Sequence, residues 1–175
     1  MSRFDDCLAY VLKSEGYYSD DKADHGGATK WGVTQASYDR WRAKNAKTLR
    51  HVRDMEADER DAIYFEDYWM PGKCGQMPVP LDYVHFDGCV NHGVGQANKF
   101  VQRALGVAAD GDIGPQSIRA LQEDIAAGKV DDLTRSVLDQ RRSFYHHLAE
   151  NDPSQERFLN GWLNRLDSIS HLVLG

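Results

Sequence analysis

The sequence lacks several things, and each shortage closes off a class of protein. No apolar run approaches the ~18 residues that a membrane-spanning helix needs, so no membrane insertion is expected. Only three cysteines occur, Cys7, Cys74 and Cys89, an odd number without paired spacing. They are read as reduced thiols and not as a disulfide framework. Basic residues number 21 against 27 acidic ones, for a formal net charge of −6. That sign argues against nucleic acid as a partner and against long-range attraction to any other polyanion. The first residues, MSRFDDCLAY, turn acidic early and no apolar h-region follows. A secretory signal peptide is therefore not expected, and synthesis in the cytoplasm is. There are no repeats and no low-complexity tracts.

What remains is enough for a packed globule: 175 residues, 41% of them hydrophobic. That length suits one domain, or two small lobes sharing a core. Helical periodicity dominates. Phe4, Leu8, Val11 and Leu12 share a stripe, with Ser2 and Asp5 as a capping box at its start. Thr34 or Ser37 can cap a second helix through Tyr38 and Trp41. Residues 42–53 are basic and weakly patterned, and read as a surface connection. Further helices are expected over 58–69, 81–91 and 96–105, the first stopped by Pro71 and Gly72. Another starts at Pro115, in the place of a first helical residue, and stops at Gly128. Two more follow, over 131–148 and after Pro153. The one place for β structure is a small hairpin within 17–33, where Tyr, Thr, Trp and Val cluster around glycines.

The most informative stretch runs from Ser14 to Thr34, SEGYYSDDKADHGGATKWGVT. Glu15 falls at the end of the first helix. Asp24 comes after eight intervening residues and Thr29 after four more, in a glycine- and tyrosine-rich segment that cannot continue the helix. A carboxylic acid, a carboxylate and a hydroxyl on one short loop are what water-mediated glycosidic cleavage needs. Tyr17, Tyr18 and Trp31 around Glu15, and the negative end of the helix dipole, favour a carboxyl that holds its proton. Asp24, among polar residues and glycines, is expected to stay ionised. Tyr18 and Trp31 flank these groups and are the aromatics expected to stack on a sugar ring.

These residues resemble a known family. EGYYSDDKADHGGATKWGVT is similar to the signature of glycoside hydrolase family 108, N-acetylmuramidases of bacteria and phages, with its E-G-G-Y, D-P-x-D-P-G-G-A-T and Y-G-I-T blocks. The Glu–Asp–Thr order also resembles that of phage lysozymes. The stretch from Tyr64 to Gly106 is similar to the family's second block. LGVAADGDIGPQSIRAL, Leu105 to Leu121, resembles the peptidoglycan-binding half associated with it. The departures are Tyr17 for the second glycine of the first block, and Lys22 and His25 for the two loop prolines.

The resemblance implies a mainly α, lysozyme-like fold with a small β-hairpin beside the cleft. It implies a catalytic lobe over 1–84 and a helical peptidoglycan-binding lobe over 85–175, packed as one unit. Glu15, Asp24 and Thr29 would be catalytic, with Asp87 and Asn91 lining the cleft or bracing the catalytic loop. The substrate would be bacterial peptidoglycan, cut by a monomer that leaves the host cytoplasm through a holin-type route. No metal or organic cofactor is implied. His85, Asp87, Cys89 and His92 have the types of a zinc or thiol site. His85, Cys89 and His92 nevertheless follow i, i+4, i+7, the spacing of an ordinary packed helix face. His146 and His147 read as helix surface, and Trp162 as core.

Overall fold

The computed structural model describes residues 2–19 and 28–175. The chain divides into two compact units, Met1–Asp67 and Tyr68–Gly175. The architecture is mainly helical with one small sheet, as expected. Among the described residues no helix is long and apolar enough to cross a membrane.

In the first unit, α1 (Arg3–Ser14) starts on the expected capping box. The Ser2 hydroxyl accepts from the Asp5 N–H at 3.2 Å, and the Asp5 carboxylate accepts from the Ser2 N–H at 2.7 Å. Its stripe buries Cys7, Leu8 and Val11. A three-stranded antiparallel sheet follows: β1 (Tyr18–Ser19), β2 (Thr29–Lys30) and β3 (Val33–Thr34), in that order. Lys30 pairs with Val33, so only Trp31 and Gly32 form the turn. Thr34 then caps α2 (Gln35–Lys44), accepting from the Ser37 N–H at 3.2 Å. A 3-10 turn at Val52–Asp54 leads to α3 (Ala57–Tyr64), which opens at Phe65–Trp69 into a wider π-helical turn.

The basic stretch over 42–53 is not a mere surface connection. Arg42 in the last turn of α2, and Lys47 and Arg50 beyond it, converge on Glu59 of α3, which is 4% exposed. Arg42 and Arg50 each donate to the Glu59 carboxylate at 2.5 Å, and Tyr38 donates at 2.6 Å. Lys47 stands 3.5 Å away. The Glu56 N–H adds a fourth kind of donor at 3.2 Å. Burial pushes the Glu59 carboxyl up, but the bonds from Tyr38, Glu56 and Arg50 outweigh it and bring it down to about 2.

The second unit consists of α4 (Leu81–His92), α5 (Val94–Ala104), α6 (Pro115–Ala126), α7 (Val130–Asn151) and α8 (Glu156–Leu174). A 3-10 turn at Cys74–Gln76 precedes α4. Pro115 opens α6 as its first residue, where a missing N–H costs nothing. Around α4 the core takes in Leu81, Val84, Phe86 and Cys89, all wholly buried. Asp87 is there too, at 0% exposure. Arg141 of α7 donates to one of its oxygens at 2.7 Å and Arg165 of α8 to the other at 2.8 Å. One carboxylate thus ties three helices together.

The Glu59 site sets an acid limit. A carboxyl held below its ordinary value contributes stability above the unfolded value of about 4.3, and loses it as pH falls toward 2. Denaturant unfolding of the wild type is expected to weaken over that window. Glu59→Gln should cost about 3 kcal/mol at neutral pH, because it strands partly buried guanidinium groups. It should also flatten the acid dependence; unfolding curves at a series of pH values check both.

Candidate active site

Glu15 is the residue at which α1 ends. Its backbone turns extended (φ −93°, ψ 138°) while its N–H still donates to the Leu12 carbonyl at 3.3 Å. The side chain is half-buried and reaches the β2–β3 turn. A β-carbon placed on Gly32 would lie 2.7 Å from Glu15 Oε2 and 2.8 Å from the Tyr64 hydroxyl. The carboxyl and the phenol therefore meet at one point, over a backbone that has no side chain.

That turn is left-handed at both central residues, Trp31 at φ 49° and Gly32 at φ 78°. Two positive φ values in a two-residue hairpin match the right-handed twist of the strands. Gly32 takes this conformation at no cost; for a tryptophan it costs about 1–3 kcal/mol. The surroundings hold it there. The Trp31 carbonyl accepts from the Tyr64 hydroxyl at 2.8 Å, and its N–H donates to the Tyr17 carbonyl at 2.9 Å. Lys30 Nζ lies 4.4 Å from the indole centre and the Arg60 guanidinium 4.8 Å from it. Lys30 is itself fixed, donating to the carbonyls of Arg53 at 2.7 Å and Met55 at 2.8 Å. The Tyr17 ring meets the indole edge-on at 5.3 Å.

The other residues expected from the sequence divide as follows. Thr29 opens β2, half-buried, opposite Ser19 on one side and Thr34 on the other. Tyr18 is exposed on β1, and Trp31 is half-buried at the turn. Both therefore lie in the same small sheet whose turn Glu15 reaches. Asp24 lies outside the described residues. Asp87 and Asn91 belong to the second unit. Asp87 is wholly buried with both oxygens taken by arginines, so its carboxylate braces helices and is closed to a sugar. Asn91 is exposed, and its amide donates back to the Asp87 carbonyl at 2.7 Å.

Tyr64 stood out in the sequence only as the first residue of the stretch that resembles the family's second block. Nothing in its spacing announced that its hydroxyl would meet Glu15. The expected His85–Cys89–His92 face also divides. His92 shares the side of α4 by angle but lies two turns on, ~10 Å along the axis. There it packs against Phe100, Phe144 and Tyr145 and accepts from Arg141 at 3.2 Å. Burial, then the Arg141 charge, holds its pKa down at about 3. His85 and Cys89 instead meet Cys74. A hydrogen bond from Cys74 brings the Cys89 thiol down to about 5 against burial, with help from the His85 ring. His146 and His147 are exposed, as expected, and Trp162 is half-buried and stacks on Tyr145 at 5.1 Å.

The second unit also carries a groove of about 720 Å³ between α5 and α7. Arg103, Arg135 and Asp139 line it beside Phe100 and Phe144. Gln140 lies there as well, with a buried Oε1 that has no hydrogen-bond partner among the described residues.

A half-buried carboxyl beside a phenol, next to exposed aromatics, can pass a proton to a sugar oxygen stacked above it. Its position depends on the bare α-carbon of Gly32. Gly32→Ala is expected to cut any activity that uses Glu15 by about 100-fold, since displacement of a reacting group by about 1 Å has that effect. Activity measured well below the melting temperature of the variant separates this loss from turn strain.

Residues 8–93 match the family model of glycosyl hydrolase 108, and residues 96–167 match a predicted peptidoglycan domain. No curated protein matches the chain. Among solved structures, SagA of Brucella abortus aligns with a TM-score of 0.79 at 25% identity, over 98% of this chain and 93% of that one. The half-buried Glu15 lies inside the first matched region and the groove inside the second, so the chain carries a glycosyl hydrolase 108 region over residues 8–93 followed by a predicted peptidoglycan domain over residues 96–167.

Proposed function

We propose that this glycoside hydrolase is an N-acetylmuramidase, cutting the β-1,4 bond between N-acetylmuramic acid and N-acetylglucosamine in bacterial peptidoglycan. The observation that carries the reading is the Glu15 carboxyl, held at the end of α1 against Gly32 and the Tyr64 hydroxyl. Glu15 protonates the leaving glycosidic oxygen. Asp24 acts as the base and Thr29 helps to hold the water. Tyr18 and Trp31 stack on the sugar rings. Tyr64 orients the Glu15 carboxyl and keeps the turn closed through the Trp31 carbonyl. None of these steps calls for a cofactor.

Inversion at the anomeric carbon fits this residue set. A threonine hydroxyl suits a held water, and a water between two carboxyls needs them roughly 6.5–9.5 Å apart. The first product is then the α-anomer, which proton NMR of the nascent reducing end checks. The groove between α5 and α7, with side chains of both charge signs, is the place for the peptide stem of the wall. Release from the cytoplasm by a holin, as for a phage endolysin, completes the reading.

Two other readings give different products. A lytic transglycosylase, which needs one acid/base glutamate and no second carboxylate, leaves 1,6-anhydro muramic ends. A wall-binding module without catalysis leaves none. Mass spectrometry of digested peptidoglycan is expected to find hydrolysed, reducing muramic ends. Glu15→Gln should keep the fold and lower wall lysis by at least about 100-fold, since its amide donates no proton to the leaving oxygen. Near-wild-type lysis by the folded variant, or anhydro products from the wild type, would overturn the assignment.

A further inference from the structure

Cys74, His85 and Cys89 take part in no step of the proposed hydrolysis, and all three lie within the second unit. Cys74 opens the 3-10 turn ahead of α4, while His85 and Cys89 stand one turn apart on α4 itself. The two cysteines are 0% exposed and His85 is 1% exposed. The sulfurs are 4.0 Å apart, and Cys89 Sγ is 3.7 Å from His85 Nε2. The three donor atoms all fall within 4.8 Å of one another.

These lengths can be set against a polyhedron. Zinc with Zn–S of about 2.3 Å and Zn–N of about 2.0–2.1 Å has tetrahedral edges of ~3.8 Å between sulfurs and ~3.6 Å between sulfur and nitrogen. The two measured edges differ from these by a few tenths of an ångström or less. The third pair, Cys74 Sγ and His85 Nε2, is held only to within 4.8 Å, so closing on an ion requires a side-chain rotation that shortens this edge toward ~3.6 Å.

The His85 ring turns Nε2 toward both the Cys89 sulfur and the Gly72 carbonyl. With its proton on Nε2, it donates to the Gly72 carbonyl at 2.8 Å, and buried Nδ1 is left without a partner. With the proton on Nδ1, the Nε2 lone pair faces the Gly72 oxygen, acceptor against acceptor. Either tautomer leaves a buried polar group unsatisfied, which is rare and costly. A cation beside Nε2 would turn that second opposition into shared coordination, while Nδ1, now carrying the proton, would still lack a partner, so the support lies at Nε2. Gly72 fits the same picture. A β-carbon there would lie 2.7 Å from Cys89 Sγ and 3.0 Å from Cys74 Sγ, so its backbone is pressed against both sulfurs.

We propose that Cys74, Cys89 and His85 bind one soft divalent cation of the zinc class, with the Gly72 carbonyl oxygen closing the fourth side. Two thiolates and an imidazole select such an ion over magnesium or calcium, which take oxygen ligands. The balance is simple. The cation enters as two thiol protons leave, and the ring proton moves to Nδ1. A doubly charged ion between two thiolates adds no net charge to a buried site. Its effect is to clip the turn at Cys74 onto α4. The inference does not depend on the muramidase reading.

The test uses the purified full chain, titrated with Zn²⁺ and, separately, with Co²⁺. One equivalent of zinc per chain is expected by elemental mass spectrometry after removal of free metal. The cobalt form should show thiolate-to-metal charge-transfer absorption in the near ultraviolet and intense tetrahedral bands in the visible. Cys74→Ser and Cys89→Ser should lose both, while Cys7→Ser, altered in the other unit, should keep them. Should either cluster variant fail to fold, the charge-transfer band of the wild type still decides whether thiolates are ligands. Absence of stoichiometric zinc, a cobalt spectrum without thiolate absorption, or full binding by a folded Cys89→Ser protein would overturn the site.

Discussion

A carboxylate can be buried only where donors already surround it, and each unit of this chain is organised around one that meets the condition. Glu59 draws two arginines, a tyrosine and a backbone amide to one point, binding the segment after α2 to the start of α3. Asp87 draws in Arg141 and Arg165, fixing α7 and α8 against α4. Losing one partner of such a group costs more than the bond itself, because the remaining charges stay buried. The helices are thereby placed by polar geometry as well as by apolar packing.

The candidate site depends on this order at one remove. Tyr64 is the last residue of α3, seven residues after Ala57, on the helix that Glu59 anchors. A phenol fixed at that end can hold the Trp31 carbonyl, and so keep the left-handed turn against which Glu15 rests. Lys30 ties the same turn to the carbonyls of Arg53 and Met55, just ahead of α3. A strained turn survives where several neighbours over-determine it. Here those neighbours come from three separate stretches of the unit.

Local features were legible in the sequence because local chemistry decides them. The Ser2–Asp5 box, the Thr34 cap, Pro115 at the head of α6 and the apolar run of α4 all formed where spacing placed them. Glu15 at the end of α1 was legible for the same reason. Non-local partners were not. The stretch over 42–53 looked like solvated surface because Glu59, which its cations meet, gives no sign of it in spacing. Asp87 looked available in a mostly apolar helix, yet its arginines are 54 and 78 residues away along the chain. Cys74 joined His85 and Cys89 from outside their helix, which periodicity along α4 could not reveal. Tyr64 was visible as an aromatic ring, but the task of its hydroxyl was not.

The hairpin has one more consequence. Lys30 and Val33 face each other across a loop of two residues, the shortest common connection. An extra residue in that loop would change the turn type and remove the paired left-handed geometry. A shift in register would send alternate side chains of β2 or β3 to the opposite face of the sheet. Insertions and deletions are thus excluded at Trp31–Gly32, and a descendant of this sequence can vary the turn in kind far more easily than in length.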